Sequence, residues 1–240
     1  MKIILLGALL LGFSLDGFAK QEELVQREYV VLLHGLHRSS LSMKKLEKGL
    51  QQAGYRTINI NYPSTNKTIS ELVDFIHPKI EGIKMYDPKA IHFVGHSMGN
   101  LLIRGYINKY RPKRVGKVVM LAPPNQGSEI ADHLQDKKFY QWIFGPSLQE
   151  LGTDQQKISM LLGEINYPVG IIAGDRSINP LFSKYLEKPH DGTVSYKRTS
   201  LPEQTDQIIL HVSHSLIMFN KQAIQQTIYF LKNNKFSHLE

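Results

Sequence analysis

The sequence predicts a doubly wound α/β domain, and three observations carry that prediction. Short, continuously apolar runs recur along the chain, as strands covered on both faces of a parallel sheet require. Segments with apolar residues at helical spacing lie between those runs, and this alternation defines the class. One run, Ile91 to Val94, reverses through Gly95-His96-Ser97-Met98-Gly99 straight into a helical pattern. A turn that tight needs glycines, which lack a Cβ, on either side of its tip.

The elements follow in order. Met1 to Ala19 reads as a secretory signal: Lys2 supplies a positive start, Ile3 to Leu15 an apolar segment too short to span a bilayer, and Gly17-Phe18-Ala19 a small-residue cleavage site. Export to the periplasm or beyond is the expectation, and residues 20–240 form the predicted domain. The 240 residues carry a net charge of +8 and no cysteine, so neither a disulfide nor a lipoprotein anchor is available. Losing Lys2 and Asp16 with the signal leaves that charge unchanged. Arg104, Lys109, Arg111, Lys113, Arg114 and Lys117 cluster where the helix after Ser97 should end. Cations there favour the helix dipole, and together they could also meet an anionic membrane surface. No aromatic interleaving or helix-turn-helix pattern supports nucleic-acid binding.

Glu28 to Leu33 is the first strand, and its place near the start leaves room only for a reduced sheet of about six strands. Ser39 or Ser40 can cap a helix carrying Met43, Leu46 and Leu50 on one face until Gly54 stops it. Tyr55 to Tyr62 is the second strand. Thr68-Ile69-Ser70-Glu71 is a capping box, and Ile69, Leu72, Ile76 and Ile80 form the buried stripe of its helix, with a kink expected at Pro78. After the Ile91 strand and its helix, Val115 to Ala122 and Tyr167 to Gly174 are further strands. Residues 126–166 between them form a cap-like insertion whose apolar content sits in Phe139, Tyr140, Trp142, Ile143, Phe144, Ile158, Leu161 and Leu162. These side chains either pack on the sheet's flank or wall an apolar pocket. Ile208 to Val212 is the last strand, and Met218 to Leu231 the closing helix.

Ligands of such sheets bind beyond the carboxyl ends of the strands. His34-Gly35, Ser97, Pro123 and Asp175 all lie at those ends. Ser97 has the setting of a nucleophile elbow, where strain projects the side chain outward and the amide of Met98 opens the helix behind it. A serine nucleophile needs a histidine base, and the histidine needs a carboxylate partner. Among ten histidines, His92 lies in a strand, and His34, His37 and His96 suit packing or hydrogen bonding. His77, His190 and His238 fall in polar stretches. His211 lies within the last strand, whereas His214 sits in the loop after it and can lean over Ser97. Two acids compete: Asp175 follows a strand directly, and Asp191 sits in the turn Pro189-His190-Asp191-Gly192-Thr193-Val194-Ser195.

On these residues the chain resembles the α/β-hydrolases, and within them bacterial lipases and esterases. The resemblance is carried by Leu33-His34-Gly35-Leu36, Gly95-His96-Ser97-Met98-Gly99, Pro124-Asn125-Gln126-Gly127-Ser128, Asp191-Gly192-Thr193-Val194 and Val212-Ser213-His214-Ser215. It implies a Ser97, Asp191, His214 triad and an oxyanion hole from the amides of Leu36 and Met98. It also implies hydrolysis of ester or lipid substrates through an acyl-enzyme. No cofactor and no metal-ligand set is carried over. An acyltransferase or thioesterase with the same triad, and a non-catalytic binding protein on the same fold, are the competing readings.

Overall fold

The computed structural model describes residues 27–134, 136, 138, 145–154, 162–178 and 180–238. The predicted signal, and within the insertion Phe139, Tyr140, Trp142, Ile143, Phe144, Ile158 and Leu161, lie outside the described residues.

Six strands form one sheet: β1 (Glu28–Leu33), β2 (Arg56–Ile60), β3 (Ala90–His96), β4 (Val115–Leu121), β5 (Val169–Gly174) and β6 (Asp206–Leu210). Their spatial order is β2-β1-β3-β4-β5-β6, and every neighbouring pair is parallel. Between them run α1 (Lys44–Gln52), α2 (Ile69–Glu81), α3 (Met98–Tyr110), α4 (Glu129–Leu134), α5 (Pro180–Ser183) and α6 (Tyr196–Thr199), and α7 (Lys221–Asn233) closes the chain. This is the reduced, doubly wound α/β architecture that the sequence predicts.

The two-residue period of a strand divides each apolar run between the faces. Val31 and Leu33 of β1, Phe93 of β3 and Met120 of β4 join Leu72, Ile76 and Ile80 of α2 and Leu102 and Tyr106 of α3 in one core. Val30, Leu32, Val94, Val119 and Ile172 join Leu46 and Leu50 of α1 and Phe230 and Leu231 of α7 in the other. Hence the inner strands are mostly apolar, with Glu28, His92, His96 and Lys117 as the exceptions.

The capping box forms as predicted: the Glu71 amide donates to Thr68 Oγ1 at 3.2 Å, and the Thr68 amide donates to Glu71 Oε2 at 2.8 Å. Helix α2 runs through Pro78 to Glu81 before tightening into a 3-10 segment, Gly82–Tyr86. Other boundaries move. Strand β6 is displaced two residues toward the amino terminus of the expected run. Polar Asp206 and Gln207 pair with Gly170 and Ile171, whereas the Val212 amide turns back to the Leu210 carbonyl at 2.8 Å and ends the ladder. His211 therefore follows the strand instead of lying within it. The closing helix begins at Lys221, because Asn220 caps it by accepting from the Ala223 amide at 3.0 Å. Met218 belongs to a separate 3-10 turn, Ile217–Phe219.

The described part of the insertion packs onto the first core through Ile130, Ala131, Leu134, Leu151 and Leu162. Glu150 fastens it by accepting from the Ile69 amide at the start of α2, 2.5 Å away. The basic cluster does not form one face. Arg104 is buried against Asn125 and the Gly163 carbonyl, Lys109 pairs with Asp74, and Arg114 pairs with Asp87. Lys117 donates to the Leu231 and Lys232 carbonyls at the end of α7. No helix among the described residues is long and apolar enough to cross a membrane.

Candidate active site

Ser97 stands between β3 and α3 with φ 52° and ψ −124°, a backbone region that residues with a Cβ rarely adopt. The strain is held by neighbours. The Ser97 amide donates to the Leu121 carbonyl at 2.9 Å, and Asn100 Nδ2 donates to the carbonyls of Ser97 and Leu121 at 3.0 and 3.1 Å. Asn100 thus staples the turn to β4, a role that its unremarkable place in the helical pattern did not announce. A Cβ at Gly95 would collide with the Asn100 side chain, and one at Gly99 with the Leu33 carbonyl.

His214 Nε2 lies 2.9 Å from Ser97 Oγ, and His214 Nδ1 lies 2.7 Å from Asp191 Oδ2. Asp191 Oδ1 accepts from the amides of Thr193 and Val194 at 2.9 and 2.8 Å. A carboxylate that only accepts requires the Nδ1–H tautomer of His214, which leaves Nε2 free to accept the Ser97 proton. Asp191 is 2% exposed and His214 8%, so water competes little for this chain of bonds. The other acid and histidine pair separately: His211 Nδ1 meets Asp175 Oδ1 at 2.9 Å on an exposed edge. Asp175 directly follows β5 and Asp191 lies in a turn between α5 and α6, and what divides them is which histidine each reaches.

The remaining histidines take up structural work. His34 stacks on Tyr62 with ring centres 3.9 Å apart, donates from Nδ1 to the Gly35 carbonyl at 2.9 Å, and receives the Tyr62 hydroxyl on its own carbonyl. Burial pushes the His34 imidazole below its ordinary value and the Tyr62 phenol well above its own. His96 is buried and donates from Nε2 to the His214 carbonyl at 3.0 Å, while its Nδ1 has no partner. Burial, and then the neighbouring His214, hold the His96 imidazole well below the usual range. His190, expected in a polar stretch, is buried within the Asp191 turn, where Nδ1 accepts from the Gly192 amide at 3.2 Å. His77 stacks on Tyr110 at 3.6 Å.

Leu36 lies on the loop after β1, and Met98 is the first residue of α3, where helix geometry leaves its N–H without an intrahelical acceptor. The Leu36 loop is anchored by the His37 amide, which donates to Ser64 Oγ at 3.1 Å, and by Ser147 Oγ, which donates to the Ser64 carbonyl at 3.0 Å. Tyr62 and Ser64 support this loop from the β2 side; no sequence pattern singled them out. A cavity of about 440 Å³ opens over Ser97 and His214, with Leu36, Leu134, Leu151, Ile178, Phe182 and Val194 among its walls. Among the described residues no group of three or more His, Asp or Glu side chains could hold a metal ion.

The sequence profile of the palmitoyl protein thioesterase family matches residues 29–159, more than half of the chain. The chain belongs to that family. The match to the palmitoyl protein thioesterases runs from β1 through the elbow into the insertion and leaves Asp191 and His214 beyond it. No curated protein sequence matches. Solved structures agree on the fold. The chain is similar to the mature Bacillus licheniformis lipase BlEst2 at 18% identity and TM-score 0.71, over 84% of this chain and 91% of the lipase. It is similar to the Paleococcus ferrophilus monoacylglycerol lipase at 17% identity and TM-score 0.58, over 87% and 95%. Phospholipase PlaB from Legionella pneumophila aligns at 15% identity and TM-score 0.64, over 87% of this chain and 60% of PlaB. The protein is a lipase-, esterase- or thioesterase-type α/β-hydrolase.

Proposed function

We propose that the protein hydrolyses carboxylic esters through a covalent acyl-enzyme, with Ser97 as nucleophile, His214 as base and Asp191 as its carboxylate partner. The observation that carries this reading is the unbroken chain Ser97 Oγ, His214 Nε2, His214 Nδ1, Asp191 Oδ2, with bonds of 2.9 and 2.7 Å. As Ser97 Oγ attacks the acyl carbon, its proton passes to His214 Nε2, and Asp191 stabilises the imidazolium that forms. The amides of Met98 and Leu36 receive the carbonyl oxygen as it becomes anionic. Collapse expels the alcohol, which takes the proton from His214. Water then attacks the acyl-serine with His214 again as base, releasing the acid and restoring the Ser97 hydroxyl.

Membership of the palmitoyl protein thioesterase family favours a second reading, a thioester substrate in the same site. The chemistry differs only in the leaving group. The leader predicted in residues 1–19 belongs to the same proposal and sends the enzyme out of the cytoplasm; amino-terminal sequencing of the mature protein tests it.

Rates on matched nitrophenyl esters and acyl-thiol esters separate the two substrate classes. Ser97→Ala and His214→Ala are expected to abolish turnover of either while the far-ultraviolet spectrum and unfolding midpoint are kept. Asp191→Asn is expected to cost far more than Asp175→Asn, because the Asp175 carboxylate reaches His211 instead of His214. Turnover surviving in Ser97→Ala, or the reverse ranking of the two acids, overturns the assignment.

A further inference from the structure

We propose that Arg38 is the anion-recognition point of this site, selecting acyl esters or thioesters whose alcohol or thiol part carries a phosphate group. The inference rests on the Ser97 reading above and names the substrate class that it would favour. Its first support is topological. In the sheet, β1 and β4 lie on opposite sides of β3, which carries Ser97 at its end. Apart from Leu36, the apolar wall of the cavity is supplied from the β4 and β5 side, chiefly by Leu134, Leu151 and Phe182. Arg38 comes from the β1 side. An acyl chain laid on the apolar wall therefore directs the leaving group across Ser97 toward Arg38.

The second support is the shape of the surface there. Beyond the cavity over Ser97 lies another hollow of about 510 Å³, lined by His37, Arg38, Ser39, Leu41, Ser42 and Phe219. His37 and Arg38 border both, so Arg38 stands on the ridge between the acyl cavity and this second hollow. Its loop is fixed, since His37 takes a left-handed backbone, φ 57°, with its amide held on Ser64 Oγ.

The third support is charge. Among the described residues Asp191 is the one acid lining the first cavity, and both of its oxygens are spent on His214, Thr193 and Val194. Among the described residues no acid lines the second hollow. The nearby ammonium of Lys45 is turned onto the Phe219 carbonyl at 2.7 Å, whereas Arg38 is exposed and its charge is felt at the buried ring of His96 beside Ser97. A guanidinium fork that has no carboxylate partner among the described residues, at the mouth of a site, matches a phosphate group bidentately.

The test uses pairs that share a hexanoyl group and differ in charge beyond the reacting bond: 1-hexanoylglycerol 3-phosphate against 1-hexanoylglycerol, and hexanoyl-coenzyme A against hexanoyl-N-acetylcysteamine. The ratio of kcat/KM, charged over neutral, is expected to exceed one in the parent and to fall about five- to tenfold in Arg38→Gln, further in Arg38→Glu. It should also shrink as salt is raised. The pair that shows the effect names the source of the phosphate, a glycerophosphate lipid or a phosphorylated carrier thiol. A ratio that Arg38→Gln leaves unchanged in both pairs overturns the proposal. Calorimetric binding of the same compounds to Ser97→Ala, with and without Arg38→Gln, reads Arg38 independently of chemistry. If charge-selective binding is lost with Arg38 although neither pair is hydrolysed by the parent, the Ser97 reading falls and Arg38 stands. Equal affinities for charged and neutral members overturn the Arg38 assignment.

Discussion

Two buried imidazoles beside the nucleophile make acid a specific threat to this fold. His34 and His96 are held neutral by burial, with folded pKa values below the ordinary imidazole value of about 6.5. Below that value the unfolded chain takes up protons that the folded chain refuses, so stability rises with pH through this window and is lost as pH falls below it. Each such histidine contributes a slope of up to about 1.4 kcal/mol per pH unit between its two pKa values. Glu28 is shifted in the same direction for a different reason: its bond to His92, and then the charges of His92 and Lys89, lower its pKa, so its contribution is lost only as pH falls through the more acid carboxylate range. Urea unfolding at pH 8, 6 and 5 checks this, and the expected result is a midpoint that falls from pH 6 to 5 without a change in slope. A midpoint constant from 8 to 5 would mean that both rings charge freely in the folded state. None of this was visible in the sequence, where His34 and His96 are simply polar letters at strand ends. Their neutrality comes from burial against groups distant in sequence, the Tyr62 ring stacked on His34 from 28 residues away and the His214 ring beside His96 from 118 residues away.

Elements differ in how much the site depends on them, and a pair of substitutions separates the two kinds. Thr68 caps α2 far from Ser97 in the chain, so Thr68→Ala is expected to cost about 1 kcal/mol of stability and to leave kcat untouched. Gly99 sits against the Leu33 and His34 carbonyls, so a methyl group there must push α3 away from β1. Gly99→Ala is expected to cost about 1–3 kcal/mol and also to lower kcat, because the same shift moves Ser97 relative to His214. Equal activity in the two variants would separate elbow geometry from catalysis. The capping box was legible because its signal is local: Thr68 and Glu71 bond to each other's backbone. The ends of β6 and α7 were not. An apolar run such as Ile208 to Val212 says that a strand passes nearby, but the turn of the Val212 amide onto Leu210 and the Asn220 cap decide where elements stop.

For the whole molecule, a parallel sheet with right-handed crossovers brings the ends of its strands to one edge, which is why His34-Gly35, Ser97 and the loop of His214 could be placed together from strand order, whereas Leu36 and the choice of Asp191 came only with the resemblance. The convergence was legible from strand order along the chain; the cavity walls were not, since they depend on how the insertion and the segment after β5 fold back over that edge. Phe182 of α5 is half-buried, packs against the first core and lines the cavity near Leu134 and Leu151. If the acyl chain lies on this wall, each methylene it buries contributes up to roughly 0.8 kcal/mol, and an acetyl group is too short to gain it. Phe182→Ala should therefore lower kcat/KM for octanoyl esters several-fold more than for acetyl esters, with the larger change in KM. Because Phe182 is only half-buried, the fold should withstand the change, and an unfolding curve on the same preparation verifies that. Equal losses on the two esters would place the acyl chain elsewhere, leaving the α4 and α5 wall as cover for the sheet.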